Sequence, residues 1–349
     1  MLPIDGKGHG CLATRDIEKG ERIFAEPPLL KQGPGEPPLN AAIEALSSEG
    51  RKKFFALTQN DLRWGTKPSP RGIFATNAHP CHAYNLLHRG IFLTVARFNH
   101  ACDSNAVYRW NDTLGMLTVH AQRAIANGCE ICVCYSFDGM MREQRQRHLS
   151  NLFGFTCTCD KCSLRGAALD ASEARLGAIG DVASCVRDMV HEGPFAHEGT
   201  YLRSIAKLDP QDFLKRLDER FFMMRDEFPP DGYVDGAECF LQAFVELCER
   251  AAAKLLYLAQ AAETRGSGSP EANEALRAKA AEYMGAADEW ATLSMELTRD
   301  IKGEDSPAYE VWAKAFNDGV WQEAGSLDFH SRWVEAGLAR HSYCHRELV

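Results

Sequence analysis

Three cysteines lie close together in the pattern Cys-x-Cys-x-x-Cys, at Cys157, Cys159 and Cys162. A structural zinc ion takes four ligands in a tetrahedron, and cysteine thiolates are among its preferred ligands. The N-terminus has neither the basic cluster nor the apolar core of a secretory signal, so we expect reduced thiols rather than disulfides. Three free thiols on a polar loop are improbable at this spacing. The pattern therefore predicts a zinc site that needs one more ligand.

Three further segments combine polar, aromatic and glycine residues. Arg97–Asn105 contains Asn-His-Ala-Cys, and Asn127–Tyr135 is a strand-like run that ends in tyrosine. Gly6–Gly10 reads Gly-Lys-Gly-His-Gly. Alone this glycine run is weak evidence, because it lacks the Gly-Lys-Ser/Thr ending of a phosphate loop and could be no more than a flexible start.

In this order, and followed by the cysteine cluster, the segments resemble the SET-domain lysine methyltransferases. More narrowly, they are similar to the SET and MYND family and its fungal-type relatives, which carry a cysteine-rich tail and a helical C-terminal region. We expect the MYND zinc finger to be absent, because residues 31–75 contain no cysteine. The resemblance implies an α+β fold with a β-rich SET core, S-adenosylmethionine as methyl donor and a lysine side chain as acceptor.

The resemblance also implies which residues contact the methyl donor. In the family the backbone of the glycine loop lies against the donor, and glycine permits that close approach. The residues so implied are Lys7, Gly8, His9, Gly10, Asn77, Asn99, His100, Tyr135 and Phe155. Asn99 and His100 carry the strongest signal. For Asn77 a helix-capping role is nearly as plausible, and Phe155 could equally be a core residue.

Tyr135 stands where the family has its catalytic tyrosine. Methyl transfer from a sulfonium to an amine is an in-line displacement, which needs a neutral and oriented amine. A tyrosine hydroxyl can orient that amine without taking on charge, whereas a phenol with a pKa of about 10 is a poor general base at neutral pH. The alternative is an aromatic side chain that only fills the core, the ordinary role of tyrosine in strands.

For the zinc site, the resemblance implies Cys102 as the fourth ligand beside Cys157, Cys159 and Cys162. Such a site is structural, and it would tie the cysteine-rich segment across the donor site and help to form the channel for the target lysine. A zinc-dependent hydrolase is the other metal chemistry to weigh. It fails because four protein ligands leave no position for an activated water.

The composition is that of an ordinary acidic protein, with a net charge of −9 and 45% hydrophobic residues. We expect no direct binding of nucleic acid, because that affinity comes from an excess of Lys and Arg. No apolar stretch reaches the length of about 20 residues that a membrane span needs. The expected partner is a protein or peptide with an exposed lysine, bound by a monomer in the cytoplasm, the nucleus or both.

Short strands are predicted in the first half of the chain and helices in the second. The predicted strands are Gly10–Thr14, Arg22–Glu26, Ile91–Ala96, Ala106–Trp110, Met116–Ala121 and Glu130–Cys134. Amphipathic spacing predicts helices over Asn40–Leu57 and Met141–Asn151. Helical spacing recurs at 214–222 and 240–256, and Gly266–Pro270 is predicted as a loop between helices. These helices suggest a tetratricopeptide-like array, although no clean period of about 34 residues is visible.

We therefore divide the chain into a SET domain (1–156, with a helical insertion at about 31–90), a zinc-binding post-SET segment (157–166) and a helical domain (167–349). The segment Ile301–Tyr309 resembles a Gly-x-Asp-x-Pro-x-Tyr turn of the family's C-terminal region. The expected function is S-adenosylmethionine-dependent methylation of a lysine in a histone or non-histone protein. The alternative is a SET-fold scaffold with weak or no catalysis, whose helices bind partner proteins.

Overall fold

The computed structural model describes residues 2–4, 6–82, 87–136, 140–191, 223, 227 and 237–317. The predicted helix at 214–222 lies outside these ranges. The strands are β1 Leu2–Ile4, β2 Gly8–Leu12, β3 Arg22–Glu26, β4 Leu30–Gln32, β5 Ala78–Pro80, β6 Arg89–Ile91, β7 Asn99–His100, β8 Ala106–Asn111, β9 Met116–Ala121 and β10 Glu130–Val133. The helices are α1 Leu39–Glu44, α2 Ser48–Phe55, α3 Asp61–Trp64, α4 Pro70–Asn77, α5 Arg142–Phe153, α6 Asp160–Ser163, α7 Gly166–His191, α8 Ala237–Thr264, α9 Pro270–Lys302 and α10 Pro307–Asn317.

One sheet, in the order β1-β2-β10-β7, brings distant parts of the chain together. β2 is antiparallel to β1 and β10. β7 is parallel to β10, with Asn99 opposite Cys132 and His100 opposite Val133. Because parallel strands run in the same direction, the residues after β7 and those after β10 leave the sheet at the same end. The Asn-His segment therefore lies beside the end of β10, just before Tyr135.

A second sheet, in the order β3-β9-β8, forms the other side of the core. β8 and β9 are a hairpin, and Gly115 in its turn has a φ of 63°, a conformation that favours glycine. Residues 112–115 form this turn. The core between these sheets consists of buried apolar residues, among them Phe92, Val95, Phe98, Ala106, Leu117, Val119, Ile125, Ile131 and Val133.

The insert between β4 and β6 contains α1 to α4 and strand β5, which completes a third sheet in the order β4-β6-β5. The single helix predicted over Asn40–Leu57 is wrong: Ser47 interrupts it. The Ser47 hydroxyl accepts a hydrogen bond from Gly50 N at 3.0 Å and so begins α2 as its N-cap.

The strand predicted over Ile91–Ala96 is also wrong beyond its first residue. β6 ends at Ile91, and a short 3-10 helix follows at Val95–Arg97. The cause is the Glu26 carboxylate, which accepts the backbone N–H groups of Thr94 at 3.0 Å and Val95 at 3.1 Å. A side chain that takes these donors turns the chain away from strand pairing.

The described C-terminal region is helical, as predicted. α8 and α9 pack along each other and are joined by the predicted loop. The Ser269 hydroxyl caps α9, and Pro270 is its first residue, where a missing N–H costs nothing. α9 also contacts β8 and β9, so the helices rest on the second sheet. The α+β class with a helical C-terminal region is therefore confirmed. None of the helices in the described ranges combines the length and hydropathy that a membrane span requires.

Candidate functional site

Tyr135 lies just beyond β10 and is held at both its backbone and its hydroxyl. Its hydroxyl donates to the Phe98 carbonyl at 2.5 Å. Its backbone N–H donates to His100 Nδ1 at 2.9 Å. Burial raises the pKa of the Tyr135 phenol above its ordinary value, so the hydroxyl stays neutral at physiological pH. The side chain is therefore a fixed, uncharged hydroxyl rather than a base.

His100 links this tyrosine to the cysteine cluster. Because Nδ1 accepts the Tyr135 N–H, the ring proton belongs on Nε2, which lies 3.2 Å from Cys102 Sγ. Burial lowers the pKa of His100 to about 4, so the ring is neutral. One imidazole thus holds the backbone of Tyr135 on one side and the Cys102 sulfur on the other.

Aromatic rings surround Tyr135 on the side of the cysteine cluster. The Phe153 ring centroid lies 4.7 Å away, that of His100 5.3 Å away and that of Phe155 6.4 Å away. The Phe155 ring is also 6.0 Å from His100. Phe153 is the last residue of α5, and His148 on the same helix contacts the Tyr135 carbonyl at 3.2 Å. α5 therefore supplies one wall of the site.

Glu130, at the start of β10, connects the glycine loop to Asn99. Its Oε2 lies 2.7 Å from Lys7 Nζ, and its Oε1 accepts from Asn99 Nδ2 at 2.8 Å. Burial alone would raise the pKa of Glu130, but the hydrogen bonds from Lys7 and Asn99 hold it below its usual range. Asn99 Nδ2 also reaches the His9 carbonyl at 3.3 Å. The loop and the Asn-His segment thus share one carboxylate.

Gly10 and Asn105 make this arrangement possible. A Cβ on Gly10 would lie 2.7 Å from Glu130 Oε1 and 2.8 Å from Asn99 Nδ2, so a larger residue there would displace both side chains. Asn105 holds β10 from the other side. Its Nδ2 donates to the Glu130 carbonyl and its Oδ1 accepts the Cys132 N–H, both at 2.8 Å.

The four predicted zinc ligands lie together beside the aromatic rings. The thiol sulfurs of Cys102, Cys157, Cys159 and Cys162 are all within 4.8 Å of one another. Cys102 Sγ is 3.4 Å from Cys162 Sγ and 3.9 Å from Cys157 Sγ. With bonds of about 2.3 Å to a tetrahedral zinc, two sulfurs would lie about 3.8 Å apart. The group therefore has the donor type, number and spacing of a closed site with four cysteine ligands.

The close approach of the four thiols shifts their pKa values. Hydrogen bonds with Cys157 and the other thiols, in which Cys102 is the donor, raise the pKa of Cys102 together with burial. Hydrogen bonds from Cys102 and the same neighbours hold the pKa of Cys159 well below its usual range. Thiolates this close together repel one another, and a bound metal cation would let all four thiols ionise.

The sequence pattern of the SET domain matches residues 8–136, which contain Asn99, His100 and Tyr135. The chain carries a SET domain. Histone-lysine N-methyltransferase set5 of Schizosaccharomyces pombe is 34% identical over 164 residues, or 47% of this chain and 50% of that protein. Protein-lysine N-methyltransferase SMYD4 of Mus musculus is 38% identical over 90 residues, or 24% of this chain and 11% of that protein. Histone-lysine N-methyltransferase SMYD3 of Homo sapiens is 30% identical over 81 residues, or 23% of this chain and 18% of that protein.

These relatives confirm the predicted resemblance to the fungal-type and SET and MYND proteins. The chain spans half the length of the first of them and smaller parts of the other two. Short sequence motifs were enough to predict the Asn-His pair, the glycine loop, Tyr135 and three of the four cysteines of the cluster. The division at residues 156 and 166 stays a prediction.

Most of the residues predicted to contact the donor converge on the SET site. Lys7, Gly10 and the His9 carbonyl meet Asn99 at Glu130, and Phe155 lies beside His100 and Tyr135. Asn77 differs. Its Nδ2 donates to the carbonyls of Thr58 at 2.6 Å and Ile73 at 2.7 Å, within the insert. Asn77 is the last residue of α4, whose N-cap is Ser69, so these bonds differ from the capping role that the sequence allowed. Its donor contact stays a prediction.

Four contributors were missed from the sequence: Glu130, Asn105, His148 and Phe153. Glu130 and Asn105 lie inside the two quoted motifs, so position in a motif was an available signal. His148 and Phe153 lie on a helix in which aromatic residues have no distinctive spacing. Only the packing of α5 against the end of β10 shows that these two side chains lie beside Tyr135.

Proposed function

We propose that this chain is an S-adenosylmethionine-dependent protein-lysine N-methyltransferase. The single observation that carries the proposal is the fixed Tyr135 hydroxyl at the end of β10, enclosed by His100, Phe153 and Phe155. The curated relatives set5, SMYD4 and SMYD3 are lysine methyltransferases by name, which supports the same reaction class. Because each is covered only in part, the reaction of the whole protein is inferred from the site.

The residues around Glu130 fit a methyl donor that is polar at one end and aromatic at the other. Lys7 can meet a carboxylate, and the Asn99 amide together with the backbone of Gly8–Gly10 offers hydrogen bonds at close approach. Phe155 offers an apolar face for a flat base. When bound, S-adenosylmethionine supplies an activated methyl group. Glu130 keeps Lys7 and Asn99 in place, so little side-chain freedom is lost on binding.

Tyr135 is suited to orient the acceptor amine. Its single proton is already donated to the Phe98 carbonyl, so the lone pairs of its oxygen are free to accept an N–H from a lysine. An amine held in this way points its own lone pair elsewhere, as an in-line displacement requires. The rings of Phe153 and Phe155 exclude water, which favours the neutral amine over the ammonium ion. Tyr135 therefore acts by position and takes no proton.

Cys102, Cys157, Cys159 and Cys162 would hold one structural zinc ion. The metal has no open coordination position when all four thiolates bind. Its contribution would be mechanical: Cys102 and His100 would hold the backbone of Tyr135, and Cys157 would hold the segment that carries Phe155.

The proposal is tested with radiolabelled S-adenosylmethionine and a whole-cell protein extract. We expect discrete labelled bands, and mass spectrometry of those bands should locate the added methyl groups on lysine. A heat-treated sample of the protein is the control and should give no bands. If no band is labelled and calorimetry detects no donor binding, the scaffold alternative replaces the enzyme.

A further inference from the structure

A strongly basic stretch lies in the insert, outside the site described above. Residues 51–71 contain six Lys or Arg and one Asp, a local charge of +5 in a chain whose net charge is −9. The end of this stretch, residues 63–71, comprises the end of α3, the connecting loop and the start of α4, and we name it the basic loop. Its three cations, Arg63, Lys67 and Arg71, are all exposed.

The basic loop is organised around one tryptophan. The guanidinium groups of Arg63 and Arg71 each lie 5.5 Å from the centroid of the Trp64 ring. Among the described residues, no carboxylate forms an ion pair with Arg63, Lys67 or Arg71, in contrast to Lys53, which pairs with Glu49. Two guanidinium groups are therefore fixed on one indole while their N–H edges stay available to an anion.

A buried glutamine shapes the backbone of the loop. Gln59 Nε2 donates to the carbonyls of Gly65 at 2.6 Å and Lys67 at 2.9 Å, and its Oε1 accepts from Ser69 N at 3.0 Å. The Ser69 hydroxyl then caps α4. Because these contacts fix the backbone before any ligand arrives, binding an anion here costs little ordering entropy.

We propose that the basic loop binds the phosphate backbone of nucleic acid. Guanidinium groups match phosphate oxygens in a bidentate manner. A duplex carries one charge per about 1.7 Å of its axis, so several phosphates can meet the three cations of the loop at once. An acidic peptide would have to order its flexible carboxylate side chains to do the same.

Binding of nucleic acid at the basic loop departs from the expectation drawn from the net charge. A net charge of −9 describes the whole chain, whereas a contact of a few phosphates depends on the local field within about 10 Å at moderate salt. The interaction is therefore limited to this face and strongly dependent on salt. It does not depend on the proposed methyltransferase activity.

The test is fluorescence anisotropy of a short fluorescein-labelled DNA duplex with the full chain over a series of NaCl concentrations. The wild type is expected to bind saturably, with an affinity that falls linearly on a log–log plot against salt. The double variant Arg63→Glu, Arg71→Glu is expected to bind at least about tenfold more weakly and to lower the salt slope by about 1.8.

The matched control is Arg277→Glu, Lys279→Glu on α9, which makes the same change of charge at exposed cations. It is expected to bind the duplex as the wild type does. If circular dichroism finds the first double variant unfolded, Lys67→Glu replaces it and should lower the slope by about 0.9.

Three results would overturn the proposal. The first is no saturable binding by the wild type at the lowest salt. The second is an equal loss in both double variants, which would indicate a general effect of charge. The third is a labelled poly-glutamate peptide that binds the loop as tightly as the duplex, which would assign the surface to an acidic protein segment.

Discussion

At the scale of single residues, the site depends on Glu130 as much as on the residues that the sequence motifs predicted. Tyr135, Asn99 and His100 could be predicted because each lies in a short, recognisable run. Glu130 lies in the same run as Tyr135, but its partner Lys7 comes from the turn before β2 and its partner Asn99 from β7. Strand pairing between distant segments is not encoded in local sequence, so the motif could mark the position of Glu130 but not its partners.

Replacing Glu130 by Gln tests its role as a positioning residue. The amide cannot accept from both Lys7 and Asn99 as the carboxylate does, so Lys7 loses its ion pair. We expect the dissociation constant for S-adenosylmethionine, measured by calorimetry, to rise about fivefold, or about 1 kcal/mol, with kcat nearly unchanged. Glu282→Gln, at an exposed ion pair on α9, is the control. A fall in kcat with unchanged donor affinity would show that Glu130 acts elsewhere.

At the scale of elements, local hydrophobic patterns located most of the longer strands, but they missed the short strands β1, β4, β5 and β7. Arg22–Glu26 and Met116–Ala121 have the predicted bounds. The errors at Ser47 and after Ile91 have the same origin: one polar side chain takes backbone N–H groups that would otherwise continue the element. Such competition depends on where a side chain points, which periodicity does not describe.

From the group of four cysteines we predict that a bound zinc ion stabilises the folded protein. We expect about one zinc per chain by plasma mass spectrometry, and Cys159→Ser should lose the zinc and lower the thermal midpoint. Cys129→Ser changes an exposed cysteine outside the group and should alter neither quantity. A metal-free wild type with the midpoint of the variant would refute a structural zinc site.

Asn60 joins the insert to the helix that lines the site. It is buried, its Oδ1 caps α3, and its Nδ2 donates to the carbonyl of Asn151 at 3.0 Å at the end of α5. Asn60→Ala leaves these groups without a partner and should cost about 2 kcal/mol of stability. Ser47→Ala removes only a cap and should cost about 1 kcal/mol. Thermal midpoints that fall in the opposite order would contradict this assignment.

At the scale of the whole molecule, the turn after α9 fastens the helices to the second sheet. Asp305 pairs with Arg22, with one of the two contacts at 2.9 Å, and accepts from Asn111 at 3.0 Å. The sequence of Ile301–Tyr309 resembles a turn in the C-terminal region of the family. It could not show that the partner would be a strand near the other end of the chain, because nothing local links the two.

His120 makes this contact sensitive to pH. It accepts from Arg22 Nε at 3.2 Å, and burial, followed by the charge of Arg22, lowers its pKa to about 4. An unfolded histidine has a pKa of about 6.5, so the unfolded state takes up the proton first as the pH falls. The stability from a neutral His120 is therefore complete above pH of about 6.5 and is lost progressively down to about 4.

Replacing His120 by Gln should reduce this dependence, since its amide oxygen can still accept from Arg22. We expect the fall in thermal midpoint between neutral and mildly acidic pH to be smaller in His120→Gln than in the wild type. His9→Gln, at an exposed histidine, should leave the dependence unchanged. Identical pH profiles for His120→Gln and the wild type would rule out His120 as the titrating group.

The most direct test of the central claim is a comparison of Tyr135→Phe with the wild type and with Tyr309→Phe, a change in α10 far along the chain. Methyl transfer and donor binding are measured on the same samples. The account predicts that Tyr135→Phe lowers kcat by about 100-fold while donor affinity and thermal midpoint are retained, and that Tyr309→Phe matches the wild type. Undiminished methyl transfer by Tyr135→Phe would contradict the account, because the hydroxyl would then have no part in the reaction.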